Sequence, residues 1–347
     1  MAGGGGGIGG GTAGLMRGEV NGGRQLPSCC LMILNYNGQE LLRECLPSAL
    51  AAADAFEGPC PVVVVDNQST EGDLEFLAKT FPEVEAVSAE RNDYLFSLNA
   101  EVAKRSEDVV IILNNDMTFD EGFIAPLLRY FDRPEIFAVT ARVFDWDRES
   151  VITARSRLVR KKLWYSLHRT FHEEEPCFTF YAAGGAAAFR RSMYLELGGF
   201  DPLFRPAYYE EVDLSYRAWK RGWKVIYEPA SIMIHRRAAT LGKQHSKERL
   251  QKMICRNQVL FNLKDTGTFL ELAGFLALLP IRFLRARVSG DAVTAGGILQ
   301  SLARLPQALG KRFLGRSRYV VSDLRLIHEI EHGEVFSPAT GAEEAAG

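Results

Sequence analysis

VVIILNND, residues 109–116, is the stretch on which the reading of this 347-residue chain turns. Five apolar residues, most of them β-branched, run unbroken into Asn114, Asn115 and Asp116. Such a run is a strand buried on both faces, as in the interior of a parallel sheet. Its polar end then falls at the carboxyl edge, where open α/β sheets bind ligands. There Asp116 and Asn114 offer hard oxygens to a divalent cation and to the phosphates it carries. Asn and Asp are also common in turns for local hydrogen-bonding reasons, so the cation reading of Asp116 depends on what the rest of the chain supplies.

Upstream, the same pattern repeats. CCLMILNYNG, residues 29–38, is an apolar run that turns polar at Asn35, Tyr36 and Asn37. Leu42, Cys45, Leu46, Ala49, Leu50 and Ala53 follow at the spacing of a helix face. Pro47 inside that face predicts a kink or a late start. PVVVVDNQST, residues 61–70, is a strand ending at Asp66, and Leu74, Leu77, Ala78 and Phe81 mark a helix that Pro82 closes. A third unit has a strand at residues 84–87, a turn at Arg91, Asn92 and Asp93, and a helix carrying Leu98 and Val102. Strand and helix alternating at short intervals predict a βαβ series with a largely parallel sheet.

Downstream, Phe123, Leu127 and Phe131 mark a helix ending at Arg133 and Pro134, and residues 137–147 read as a strand. The basic segment 155–169, followed by Glu173, Glu174 and Glu175, reads as a loop or exposed helix. YAAGGAAAF, residues 181–189, is small enough for another group to approach the backbone at Gly184 and Gly185. Residues 200–237 contain an acidic cluster, Glu210-Glu211-Val212-Asp213, opening a helix that ends at Gly222, then two short strands with His235 closing the second. Asp213 and Arg217 stand one helical turn apart and are expected to pair.

Composition sets the limits. At 47% hydrophobic the chain has material for one domain of about 200 to 250 residues plus an appendage. A net charge of -2 points to no polyanionic partner, and no nucleic-acid recognition motif is present. The charge is uneven, however: residues 236–325 hold 17 Lys and Arg against 5 Asp and Glu. That part is expected to face an anionic surface. Within it, residues 268–287 are too briefly apolar to span a bilayer, and with Arg282, Arg285 and Arg287 they suit a helix at a membrane surface or one packed on the main domain. Cys29, Cys30, Cys45, Cys60, Cys177 and Cys255 form no CxxC pair and read as reduced thiols of a cytoplasmic protein. The expected division is a disordered glycine-rich lead (1–26) without signal-peptide character, a domain over 27–250, a basic helical extension over 251–331 and a disordered tail (332–347).

The polar strand ends at Asn35–Asn37, Asp66 and Asn114–Asp116, with the 210–213 cluster, converge on one cleft if the sheet is parallel. Taken with NYNGQELLRECLPSAL, VVVVDNQST, LNND, GGFDPLF, YYEEVDLSYR and IMIHRRAAT, the chain resembles a family 2 glycosyltransferase of the GT-A fold, in its rhamnosyltransferase-like branch. The resemblance implies a mixed, mostly parallel central sheet flanked by helices, with a C-terminal helical extension. It implies that Asp66 accepts a hydrogen bond from a nucleotide base beside Asn35 and Tyr36, and that Asn92, Asn114 and Asn115 belong to the donor site. Asp116, with Asn114 as the first position of a DxD-like motif, would hold Mg²⁺ or Mn²⁺. His235, five residues before Thr240, fits an H-x-x-x-x-S/T element that completes the coordination. Glu211 stands where the family usually has an aspartate base, and Glu210, Gly184 and Gly185 are expected to line the acceptor.

One further departure is Tyr94, where the family's Asn-x-Gly-Phe loop has glycine. The expected activity is inverting, metal-dependent transfer of a sugar from a UDP, dTDP or GDP donor to a hydroxyl of a glycan or polyprenyl-linked acceptor, at the cytoplasmic face of a membrane. The alternative is a non-catalytic nucleotide-sugar-binding protein on the same fold.

Overall fold

A computed structural model describes residues 26–236 and 246–335. The lead up to residue 25, Thr240 and the tail from residue 336 lie outside them.

The N-terminal half alternates as the apolar runs require: β1 (Cys29–Asn35), α1 (Gln39–Ala55), β2 (Val62–Asp66), α2 (Asp73–Thr80), β3 (Glu85–Ser88), α3 (Leu98–Lys104) and β4 (Val109–Asn114). All five residues of β2 and the first five of β4 are buried. Burying a Val, Ile or Leu side chain contributes about 1.5–3 kcal/mol each, which is why these continuous runs take the centre of the sheet. β4, β1, β2 and β3 pair in parallel in that order. The register sets Asn35 opposite Asp66, and Leu34 opposite Asn114, so the polar ends share one edge. α1 runs from Gln39 straight through Pro47, so the helix does not start late.

The second half completes the sheet with β5 (Met117–Phe119), α4 (Ile124–Leu128), β6 (Ile136–Asp145), β7 (Val151–Thr153), β8 (Arg155–Lys161), β9 (Trp164–Thr170), β10 (Cys177–Phe178), β11 (Ala186–Arg190), α5 (Arg191–Leu197), α6 (Glu210–Lys220) and β12 (Lys224–His235). The order is β10-β12-β6-β11-β4-β1-β2-β3, with β5 on β12 and β7 on β6. β11 runs antiparallel to β4, which brings its first residues back to the same polar edge.

Three readings from sequence are corrected. The basic segment 155–169 is a β-hairpin of β8 and β9, not a loop or helix. Its alternation is masked because the outward positions carry arginine and lysine. The two short strands expected before His235 are one strand, β12, whose pairing with β6 shifts register between Glu228 and Ile232, across Pro229. The helix expected through Phe123, Leu127 and Phe131 is confined to Ile124–Leu128.

The C-terminal helices are α7 (Lys247–Lys264), α8 (Phe269–Val288), α9 (Ala292–Leu302), α10 (Leu305–Gly315) and α11 (Asp323–His332). α7 is continuous across residues 250 and 251 and buries Val259, Leu260, Phe261 and Leu263 in the common core. Phe261 packs edge-on against Phe180 and Tyr216. The first of these helices is therefore part of the main hydrophobic body. α8 opens with a reciprocal cap between Thr268 and Glu271 and runs through Pro280.

Candidate active site

The edge formed by β1, β2 and β4 is held by a buried hydrogen-bond network centred on Asn35. Its Nδ2 donates to Asp66 Oδ1 (3.3 Å) and Asp73 Oδ2 (2.7 Å), while its Oδ1 accepts from Asn115 Nδ2 (2.7 Å). Ser69 N–H donates to Asp66 Oδ2 (3.0 Å), and Gly38 N–H donates to Asp73 Oδ2 (2.8 Å). A Cβ on Gly38 would lie 2.5 Å from both Asn35 and Asn115, so only glycine lets the chain pass there. Asn35, Asp66 and Asn115 are thus locked together, and Tyr36 stands half-buried beside them. Fixing the donors and acceptors in advance is what a nucleotide-recognition edge requires.

Beside β4 lies the Gly184–Gly185 turn that leads into β11. A Cβ at Gly185 would fall 2.3–2.4 Å from the Asn114 carboxamide, and one at Gly184 would fall 2.9 Å from Leu95 and 3.7 Å from Glu211 Cβ. The two glycines therefore bridge Asn114 to Glu211, and one row of contacts runs from Asp66 to the acidic cluster. Replacing Gly185 with alanine should displace the Asn114 side chain, a flexible neighbour. The expected outcome is weaker nucleotide-sugar binding by calorimetry with a loss of unfolding free energy of about 1–3 kcal/mol.

Asp116 and His235, 119 positions apart in sequence, meet because β5 pairs antiparallel with β12, opposing His235 to Met117. The His235 Nε2 to Asp116 Oδ1 separation is 3.2 Å. Neither Asp116 Oδ1 nor His235 Nδ1 has a hydrogen-bond partner, and both atoms are buried. A buried carboxylate oxygen without a donor costs stability unless something else satisfies it, so the pair fits a divalent cation. Among the described residues no group of three or more His, Cys, Asp or Glu could hold a metal ion. The remaining coordination sites would fall to ligand oxygens and water, as is usual for Mg²⁺.

The loop around Tyr94 explains its own departure. Tyr94 has φ of +54°, the left-handed conformation that glycine adopts without strain. It is held by Asn67, a buried residue that the sequence reading passed over. Asn67 Nδ2 donates to Tyr94 O (3.2 Å), and its Oδ1 accepts from Asp93 N (3.2 Å) and Ser97 Oγ (2.6 Å). Asn92 lies exposed on this loop. Arg205 forms an ion pair with Asp93 and stacks over Phe96, tying the loop to the segment before α6.

The acidic cluster opens α6 from an unusual approach. Tyr208 and Tyr209 have φ of +71° and +75°, and left-handed conformations at bulky residues persist only where the surroundings impose them. The restraint is Asn257 of α7, whose Nδ2 donates to the carbonyls of Phe204 (2.8 Å), Ala207 (2.9 Å) and Tyr208 (2.7 Å). Nothing in the sequence pattern links residue 257 to the cluster. Glu210 is buried and Glu211 half-buried. Burial, the Glu211 charge and Asp213 push the Glu210 carboxyl well above the usual carboxylate range. Burial also raises Glu211, opposed by the nearby Arg169 guanidinium. Asp213 pairs instead with Arg217 (2.7 Å) and faces the interior.

Arg169, on the exposed end of β9, is a third residue, with Asn67 and Asn257, to which the sequence pattern gave no role. Its guanidinium lies 5.7 Å from the Tyr181 ring. With Val151, Ile152, Phe171 and His235 it lines a cleft of about 480 Å³, a volume within the range of small-ligand sites.

A family model described as "Glycosyltransferase like family 2" matches residues 27–253. The chain is 28% identical over 218 residues to an N-acetylglucosaminyl-diphospho-decaprenol L-rhamnosyltransferase of Mycobacterium tuberculosis, covering 54% of this chain and 70% of the relative. It is 27% identical over 180 residues to a pre-mycofactocin glycosyltransferase of the same organism, covering 51% of this chain and 35% of the relative. The crystal structure of GalNAc-T7 with UDP, GalNAc and Mn²⁺ superposes with a TM-score of 0.51 at 18% identity. That match covers 67% of this chain, which spans about half (48%) of the other.

Proposed function

We propose, from the premise that this chain belongs to the glycosyltransferase-like family 2 and has the GT-A fold, that it is an inverting transferase acting on a nucleotide diphosphate-sugar. The chain is a glycosyltransferase; its donor, acceptor and stereochemistry are the proposal. The observation that carries it is the orphaned Asp116 Oδ1 facing His235 Nε2 at 3.2 Å, on the edge where Asp66 and Asn35 are locked. A divalent cation bound there, Mg²⁺ or Mn²⁺, would offset the charge that grows on the leaving diphosphate.

The chain's own groups then divide the remaining work. Asp66, Asn35 and Tyr36 receive the nucleoside, and Asn114 and Asn115 border the diphosphate. Glu211 takes the proton of the acceptor hydroxyl as its oxygen attacks the anomeric carbon opposite the leaving group. Glu210, Gly184 and Gly185 border the acceptor. Likeness to an L-rhamnosyltransferase whose name specifies a diphospho-decaprenol substrate supports a rhamnosyl donor and a polyprenyl-linked acceptor at a membrane surface.

Calorimetric titration with UDP-, dTDP- and GDP-sugars, with and without Mn²⁺, tests the reading. Metal-dependent binding of one donor is expected, and binding of none of them would refute it. Asp116→Ala should abolish the metal-dependent part of that affinity. Undiminished Mn²⁺ dependence in this variant would place the cation elsewhere.

A further inference from the structure

The proposed transfer leaves two features unused: the outward face of α8 and the tip of the β8–β9 hairpin. α8 buries Leu272, Phe275, Leu279 and Ala286 on one side. At 3.6 residues per turn the opposite side carries Leu270, Ile281, Leu284 and Val288. Those four are 83%, 48%, 63% and 83% exposed. A surface helix ordinarily places its polar residues there; this one is apolar on both sides. At its N-terminal end the apolar surface continues onto α10, because Phe269 stacks on Phe313 with ring centres 5.5 Å apart. Phe313 and Leu314 are themselves 62% and 82% exposed.

Basic groups flank the stripe. Arg285 and Arg287 project from α8 on either side of it, and both are exposed. The hairpin tip is fastened alongside: Trp164 stacks on Phe275 (5.4 Å), Arg282 lies 4.0 Å over the Trp164 ring, and Arg160 pairs with Glu271. Exposed Lys161 and Lys162 are thereby held next to the helix. Among the described residues no helix is long and apolar enough to cross a membrane.

We infer that α8, with the hairpin tip, docks in the plane of an anionic lipid surface. The apolar stripe enters the headgroup–acyl boundary, and the flanking lysines and arginines meet lipid phosphates. Charge complementarity selects this occupant over a second copy of the chain, since a two-fold contact through the face would set one basic rim against another. The inference rests on the proposed transfer only for the acceptor's location.

Co-sedimentation of the full chain with phosphatidylcholine vesicles, with and without phosphatidylglycerol, tests it. Binding is expected to the phosphatidylglycerol vesicles and to weaken with added salt. The double variants Leu284→Ser/Val288→Ser and Arg285→Gln/Arg287→Gln should each lower partitioning about tenfold. Wild-type partitioning by both variants overturns the inference, as does failure to sediment with any vesicle. A concentration-dependent dimer that Leu284→Ser/Val288→Ser dissolves overturns it too, in favour of a second copy. Vesicle binding needs no donor, so absent donor binding with intact sedimentation would count against the transfer reading alone.

Discussion

Replacing Glu211 with glutamine is expected to lower transfer about 10²–10⁴-fold, the contribution of a positioned general base, while leaving nucleotide-sugar affinity unchanged. Glutamine has the shape of glutamate but cannot accept the acceptor's proton. Glu211 stands on one side of the Gly184–Gly185 turn and Asn114 on the other, with the locked Asp66, Asn35 and Asn115 network beyond Asn114. An aspartate at 211 keeps the carboxylate with one methylene less reach, so Glu211→Asp should recover activity relative to Glu211→Gln. A Glu211→Gln enzyme with the wild-type rate would remove Glu211 from the role of base.

The same substitution should move stability the other way, which separates lost chemistry from lost folding. Both glutamates at the start of α6 are raised by burial, and the Glu211 charge raises Glu210 further. A carboxyl with a folded-state pKa above its unfolded value destabilises the fold as pH rises through that window, because the unfolded chain ionises more easily. Glu211→Gln removes one such group and relieves the other. The variant should therefore melt higher than wild type near neutrality, and the difference should shrink as pH falls below the ordinary carboxylate range. In the wild type, transfer should rise with pH as Glu211 loses its proton, above the ordinary glutamate range. The variant should lack that limb of the pH profile.

What the sequence made legible follows from how local the signals are. β1, β2 and β4 are continuous apolar runs, and the polar residues at their ends mark the carboxyl edge, so Asp66 and Asp116 could be placed from pattern alone. The hairpin could not, because its outward positions carry the long aliphatic stems of arginine and lysine, which cover apolar neighbours while reading as charge. β5 is three residues long and has no periodicity to read, yet its pairing with β12 is what brings Asp116 to His235. Tyr94 stood out as a departure because sequence shows the side chain and not the dihedral, which here is the one glycine would adopt. Asn67 and Asn257 act through backbone carbonyls and amides distant in sequence, and no residue pattern announces such a bond.

The largest effect on stability is expected at Lys264, the last residue of α7, for reasons that also bear on where the domain ends. Its ammonium is buried among three acidic side chains: it pairs with Asp213 of α6, Asp201 Oδ2 at 3.1 Å and Asp265 Oδ1 at 3.4 Å, the last a carboxyl that burial raises well above the usual range. Arg217 shares Asp213, and the partly exposed Lys311 reaches Asp201 at 3.0 Å. Burial disfavours the charged lysine, but the surrounding carboxylates outweigh it and raise its pKa. Burial likewise opposes ionisation of Asp201, yet Lys264, the Leu203 amide and Lys311 hold it well below the usual range. Lys264→Met keeps the stem and deletes the charge, leaving Asp213 with Arg217, and Asp201 with Lys311 and the Leu203 amide. Removing one partner of a buried ion pair costs about 3–5 kcal/mol, a large share of the roughly 5–15 kcal/mol that holds a domain folded. Urea unfolding should show that loss near neutrality. The carboxylates freed of Lys264 have raised pKa values in the variant, so its deficit should narrow as pH falls and they take up protons, whereas a packing defect would give a deficit independent of pH. Because the cluster joins α7 to the helix that presents Glu210 and Glu211, truncation before α7 should be as damaging as the substitution. Such a loss would put the end of the folding unit at or beyond Lys264, past residue 250.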